Sequence, residues 1–164
     1  VIGDRWGVRE DEVSRHYPCD DLVLDPVLAA WRGVTVHANP AQAWLWIRQL
    51  QLAPYSYDWI DNRGRRSPQH LSDLADHYVG GQYSSSFGRP VGRVVAVEPG
   101  VGLTGKIMGA YMSYVLVPEG DQTRLLLKVV AGTGRIKAPL LCVGDLVMAR
   151  RQLLNLKRLA ERSA

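Results

Sequence analysis

The sequence predicts an α+β fold in which a curved antiparallel β-sheet wraps a long C-terminal helix, with two short helices after the first strand. Three observations predict it. Five β-textured segments follow one another between residues 82 and 131 with no helix between them. Two cap-plus-proline pairs, Asn39-Pro40 and Ser67-Pro68, open helices ahead of those strands. The last element, from about Leu140 to Glu161, has an unusually wide apolar surface, and the concave face of the sheet is the surface available to cover it.

Taken in order, residues 1–30 are acidic, turn-rich and punctuated by Pro18 and Pro26, an irregular segment expected to pack on a single domain spanning 31–164. "WRGVTVHA" (31–38) alternates Val34 and Val36 on one face of a first strand. In the helix after Pro40, Ala43, Trp46, Ile47 and Leu50 form an apolar stripe that ends at Pro54. "YSYDWIDN" (55–62) follows. Extended, it would put Tyr55, Tyr57 and Trp59 on one side; as a helical turn it would stack Tyr55 on Trp59 and set Asp58 beside Asn62. After the turn "NRGRR", Ser67-Pro68 predicts a second short helix through about Asp76, with Leu71, Leu74 and Ala75 on one face. Strands are expected at 82–88, 92–98, 103–109, 111–118 and 123–131, with a hairpin turn at Gly120-Asp121. In the last strand Leu125, Leu127, Val129 and Ala131 point one way; Arg124 and Lys128 point the other, toward an expected wet face. In the final helix, Cys142, Leu146, Ala149, Leu153 and Leu156 make one apolar row and Val143, Val147 and Leu154 another, with Arg150 and Lys157 between them.

A chain of 164 residues, 46% hydrophobic and 22% charged, is long enough for one core without staples. No apolar run approaches the roughly 20 residues of a membrane span, and no signal-peptide pattern opens the sequence, which begins at Val1 rather than Met and is compatible with residues upstream. Cys19 and Cys142 belong to no CxxC, so both are read as reduced thiols of a cytoplasmic protein. The net charge of +4 is uneven. From Arg150 onward five cations face Glu161 alone, whereas residues 1–25 hold seven acids against three arginines. An acidic N-terminal segment lying over a basic C-terminal helix is the expected use of this asymmetry, ahead of nucleic-acid binding.

"GVGLTGK" (100–106) spells a phosphate-loop pattern, yet a strand follows it, Ile107 stands where a magnesium-binding hydroxyl belongs, and Pro99 precedes it. It reads as a hairpin loop. His16, His37, His70 and His77 lack ligand spacing, so neither metal nor cofactor is expected. No GxSxG is present. Asp58 and Asp61 could act as acid and base, but beside a turn they more often cap it or pair with Arg63, Arg65 or Arg66.

The element order, together with "WRGVTVHANPAQAWLWIRQL", "YSYDWIDN", "GRVVAVEPG", "SYVLVP" and "LLLKVV", resembles the START-like or SRPBCC superfamily. More narrowly it is similar to bacterial polyketide cyclase/dehydrase and lipid-transport-like proteins, from about Trp6 to the final helix. The resemblance implies a helix-grip fold enclosing a hydrophobic cavity. It implies no single activity, since such proteins include lipid carriers, sterol binders and aromatase/cyclases. No residue set here matches a cyclase active site, so none is carried over. "GVGLTGKIMGAYM" is richer in glycine than that pattern expects.

The expected function is binding of a hydrophobic small molecule such as a lipid or polyketide. Trp46, Tyr55, Tyr57 and Trp59 would form part of the wall, Met108, Met112 and Tyr114 adaptable strand surface, and Arg150 the partner of an acidic ligand. The alternatives are a cyclase/dehydratase-like enzyme using Asp58 and a tyrosine, and, less favoured, a nucleic-acid or protein-interaction module using the basic helix.

Overall fold

A computed structural model describes residues 3–61, 63–132 and 138–164, apart from the side chains of 61 and 138–146. The strands are β1 (Arg5–Trp6), β2 (Leu28–Val36), β3 (Gln82–Ser86), β4 (Arg89–Glu98), β5 (Gly102–Ile107), β6 (Ala110–Glu119) and β7 (Gln122–Ala131). The helices are α1 (Glu10–Val13), α2 (Pro40–Arg48), α3 (Asp58–Asp61) and α4 (Ala138–Arg162), with 3₁₀ turns at Pro18–Leu22 and Gln49–Gln51. One curved sheet runs β1-β2-β7-β6-β5-β4-β3, antiparallel throughout except for the short β1–β2 pair.

Sequence chemistry accounts for most of these elements. Asn39 caps α2 by accepting from the Gln42 N–H, and Pro40 occupies the first turn, where a missing N–H costs nothing. Four tight hairpins join β3 to β7, and Gly88, Gly100, Gly109 and Gly120 supply positive φ in their turns. "GVGLTGK" accordingly forms the turn before β5 and β5 itself. α4 packs on β2 and α2. Ala149, Leu153, Leu156, Leu159 and Ala160 are buried there with Trp46, Ile47, Leu125 and Leu127.

Four expectations are corrected. No helix follows Ser67-Pro68: residues 67–80 are irregular, and the second short helix is α3, inside "YSYDWIDN". The strand expected to come first is β2, which follows the short β1 and begins at Leu28, three residues before "WRGVTVHA". Val147 and Leu154 are exposed, so α4 is buried along a narrower arc than expected; Cys142, Val143 and Leu146 lie outside the described side chains. The outward face of β7 is not wet. Residues 8–23 lie across it, burying Tyr17 and Cys19 against Val115, Leu126 and Val130.

That cover puts two of the N-terminal acids to use. Arg124 is 5% exposed, and its Nε and Nη2 donate to the two Glu12 carboxylate oxygens at 2.6 and 2.7 Å, with further bonds to the Gly7 carbonyl and Thr35 Oγ1. Lys128 pairs with Asp20 at 2.5 Å and sits over the rings of Tyr17 and Trp31. Two of the N-terminal acids, Glu12 and Asp20, therefore meet the cations of β7 rather than the basic helix, while Glu10 pairs with Arg5 within the segment; a cation on a buried face needs a partner, whereas the exposed helix cations reach water.

Replacing Glu12 by Gln strands the Arg124 guanidinium and is expected to lower unfolding stability by about 3–5 kcal/mol in urea titrations; near-wild-type stability would refute the pair's role. Burial raises the Glu12 carboxyl pKa, but the hydrogen bonds from Arg124 and the Arg9 N–H, with both charges, outweigh it and leave the pKa lowered. Stability from this group is thus complete above the usual carboxylate range and is lost as pH falls through the depressed folded value. The Glu12→Gln protein should lack that acid-side loss.

Candidate functional site

Between α4 and the β3–β6 half of the sheet lies a largely apolar cavity of about 530 Å³. Its floor follows from strand alternation. Ala110, Met112 and Tyr114 project from one face of β6. In register beside them, Val129 of β7 is opposite Met112, and Ala131 opposite Ala110. Met148, Ala149 and Gln152 close it from α4, and Leu50 and Pro54 from the end of α2. Met108 lines the cavity while 87% exposed, so the space reaches solvent at the β5–β6 hairpin.

A short polar strip crosses this surface. The Tyr114 hydroxyl donates to Gln152 Oε1, and Gln152 Nε2 donates to the Pro54 carbonyl at 2.6 Å. Ser84, Ser85 and Ser86 of β3 also border the cavity, with Tyr83 beside them. Gly105 permits this placement, since a Cβ there would lie 2.2 Å from the Tyr83 ring. The glycine excess in "GVGLTGKIMGAYM" thus has a packing cause at this position.

The expected wall residues divide. Met108, Met112 and Tyr114 line the cavity; Trp46, Tyr55, Tyr57, Trp59 and Arg150 do not. Tyr55 has φ 54°, a left-handed conformation unusual for a bulky residue. That backbone directs its ring edge-on to Trp46, centroids 6.3 Å apart, and its hydroxyl away from the cavity to the Pro68 carbonyl at 2.9 Å. Tyr57 is half-buried under the Arg151 guanidinium, and Trp59 is 74% exposed. Arg150 is exposed and lies 4.9 Å over the Trp6 ring, where its charge reaches water without crossing the cavity. Asp58 likewise does not line the cavity: its carboxylate accepts from the Ser67 N–H at 2.8 Å and from the Ser67 hydroxyl. It closes a loop, and its position does not suit acid–base chemistry on a cavity ligand.

Gln49, fully buried, organises this loop. Nε2 donates to Tyr55 Oη and the His70 carbonyl, both at 3.0 Å, and Oε1 accepts from the Ser72 N–H at 2.9 Å. Asn155 Nδ2 donates to the Tyr55 carbonyl at 2.9 Å, tying the segment to α4. Gln49, Gln152, Asn155, Tyr83 and the β3 serines escaped the sequence reading. One signal was available for α4: Gln152 and Asn155, three apart, interrupt its apolar surface.

No family model and no curated protein matches this sequence. Solved structures do. The solution structure of a Bacillus halodurans protein aligns with a TM-score of 0.57 at 14% identity, covering 83% of this chain and 99% of that one. A Polyketide_cyc-like protein from Corynebacterium glutamicum aligns at 0.52 and 12% identity over 82% of this chain and 92% of its own. An AHSA1-like protein from Rhizobium etli aligns at 0.52 and 12% identity over 82% of each. The chain has the START-like helix-grip fold. In that frame the cavity is the space between the gripped helix and the sheet.

The chemistry on offer is recognition by shape with a few oriented hydrogen bonds. Among the described lining residues the titratable side chains are two tyrosines, Tyr83 and Tyr114. Among described residues no group of three or more His, Cys, Asp or Glu could hold a metal, and no helix is long and apolar enough to cross a membrane. Cys19 is a free, buried thiol whose pKa burial pushes up; the Cys142 side chain lies outside the described set.

Two outcomes test this reading. Asp58→Ala should release the 58–67 closure and speed tryptic cleavage at Arg63, Arg65 and Arg66, while leaving the cavity lining in place; unchanged cleavage would refute the latch. His77, buried with Nε2 donating to the Tyr83 carbonyl at 3.0 Å, has its pKa lowered by burial from 6.5. Below 6.5 the unfolded chain takes up a proton that the folded chain resists. Stability is therefore full above that pH and falls as pH drops toward the folded value. The other three histidines are exposed, so His77→Gln should flatten this part of the melting-temperature profile.

Proposed function

We propose that this chain binds an apolar small molecule, of the size and character of a lipid or polyketide, in the cavity between α4 and the sheet, and carries or sequesters it. The observation that carries the reading is the cavity itself. Its volume falls within the roughly 300–1,000 Å³ of small-molecule pockets, and its wall is apolar apart from the Tyr114–Gln152 strip, Ser56, Tyr83 and the β3 serines. Met108, Met112 and Met148 give that wall unbranched side chains that adapt to irregular shapes. Tyr114 and Gln152 would orient the one polar end of such a ligand. A free, buried Cys19 agrees with a cytoplasmic binder. The enzyme alternative loses its named acid, since Asp58 is held by Ser67 outside the cavity.

Native and denaturing mass spectrometry of the purified chain would reveal a co-purifying molecule, and titration with the neutral dye Nile red measures the cavity directly. Ala149 is buried on α4 with its side chain facing the space, so Ala149→Phe should fill it. Nile red affinity is expected to fall roughly tenfold or more with the melting temperature maintained. Unchanged affinity in a folded Ala149→Phe protein would overturn the proposal.

A further inference from the structure

A second concavity, of about 600 Å³, shares no lining residue with the first. Arg66 and His70 of the irregular segment face Arg158 and Arg162 of α4 across it, over Leu71 and the indole of Trp46. Arg158 and Arg162 stand four apart and so project from one helix face. Each guanidinium donates to Gln69, Arg158 to the side-chain oxygen at 3.3 Å and Arg162 to the carbonyl at 2.9 Å, and both acceptors are neutral. Arg66 makes no hydrogen bond or ion pair among the described residues. No carboxylate lines the pocket among them either.

The negative end of the α4 dipole accounts for cations at 158 and 162. It does not account for Arg66, which a separate segment brings to the same depression, nor for the depression. Three guanidiniums present more donors than one carboxylate can accept, whereas the several oxygens of a phosphate suit such planar forks. The volume exceeds what a bare inorganic anion fills, and Leu71, 40% exposed, offers apolar surface beside the charges. The other helix cations do not extend the patch into a stripe, because Arg150 lies over Trp6, Arg151 over Tyr57, and Lys157 pairs with Glu161 and donates to the Thr35 carbonyl. A basic depression bounded in this way fits a small molecule better than a nucleic-acid strand.

We infer that this outer pocket binds a phosphate-bearing small molecule, with Arg66, Arg158 and Arg162 on the phosphate and Leu71 against the organic part. The site is independent of the apolar cavity and of any ligand there.

The test is calorimetric titration of the full chain with inorganic pyrophosphate at low salt. Saturable one-site binding is expected, weakened about tenfold by Arg66→Gln and unaffected by Arg93→Gln on exposed β4. Because Arg66 has no described partner, that variant should melt as the parent does; Arg162→Lys, which keeps the charge but loses the fork, provides a second reading and should also weaken binding. Phosphatidylcholine vesicles with and without phosphatidic acid separate the sources. Arg66-dependent vesicle binding that pyrophosphate displaces identifies a lipid headgroup, and pyrophosphate binding alone identifies a free phosphorylated molecule. Absence of saturable binding to either probe, or binding unchanged in Arg66→Gln, overturns the inference. So does oligonucleotide binding that Arg66→Gln, Arg150→Gln and Arg151→Gln weaken equally, which marks a diffuse basic surface.

Discussion

The two-sided burial of β7 is the constraint on which the rest of the structure depends. From Thr123 to Ala131 every residue of this strand is buried, so it needs a cover on each face. On the concave side α4 and α2 supply one through Leu153, Leu156, Trp46 and Ile47. On the other the N-terminal segment supplies the second, and the two cations that β7 sends outward dictate its chemistry. A buried guanidinium or ammonium without a counter-charge would be expelled or neutralised, so Glu12 and Asp20 have to arrive with the hydrophobic cover of Tyr17 and Cys19. Two of the acids in the first 25 residues are in this sense a requirement of the last strand. With the core concentrated where β2 and β7 meet the helix, the β3–β6 half of the sheet is left facing α4 across a gap.

Neutral amides define the edge of that gap. Gln49, Gln152 and Asn155 each join elements distant in sequence, and each does so with a side chain that both donates and accepts but brings no charge into a dry interior. Gln152 links Tyr114 on the sheet to the backbone at Pro54; Asn155 holds the next residue, Tyr55, in its left-handed conformation. A residue in that region of φ is strained unless its surroundings over-determine it. Here the ring edge, the hydroxyl and the carbonyl of Tyr55 are all engaged. One wall of the cavity is therefore rigid and polar-tipped. The opposite wall, with Met108 and Met112, is built from flexible side chains at a hairpin open to solvent.

What was legible in the sequence was what local chemistry decides. Alternation in β7 placed Leu125 and Leu127 on the inner face, glycine placed the turns at "GVGLTGK" and Gly120-Asp121, and Asn39-Pro40 placed α2. Ser67-Pro68 carries the same kind of signature and yet starts no helix, because Ser67 gives both its N–H and its hydroxyl to Asp58. The carbonyls of Pro68, His70 and Ala75 accept from Tyr55, Gln49 and Gln51 instead of from a helical ladder. Propensity yields there to hydrogen bonds with residues nine or more positions away. The rings of "YSYDWIDN" misled for a related reason: a single positive φ at Tyr55 abolishes both the strand and the helix projections from which their common side was inferred. The wet face expected for β7 overlooked that an arginine and a lysine can be buried when the chain carries their partners elsewhere.

The separation of charge from cavity follows from the periodicity of α4. Met148, Ala149 and Gln152 fall on the arc facing the apolar space, while Arg150 and Arg151, one or two residues away, turn by roughly 100° per residue onto other faces, where Trp6 and Tyr57 receive them. Two turns further on, the same helix has left the cavity behind. There its inward arc is filled by Leu156, Leu159 and Ala160, and its cations at 158 and 162 open onto the loop anchored by Gln49. Trp46 and Tyr55, packed edge to face, stand between the two regions: the indole floors the basic pocket, and Pro54, next to Tyr55, borders the apolar one. A cation lining the cavity would need a partner or water, and neither suits an apolar ligand. One helix can therefore serve both environments, because its length lets the apolar and basic arcs succeed one another along the axis.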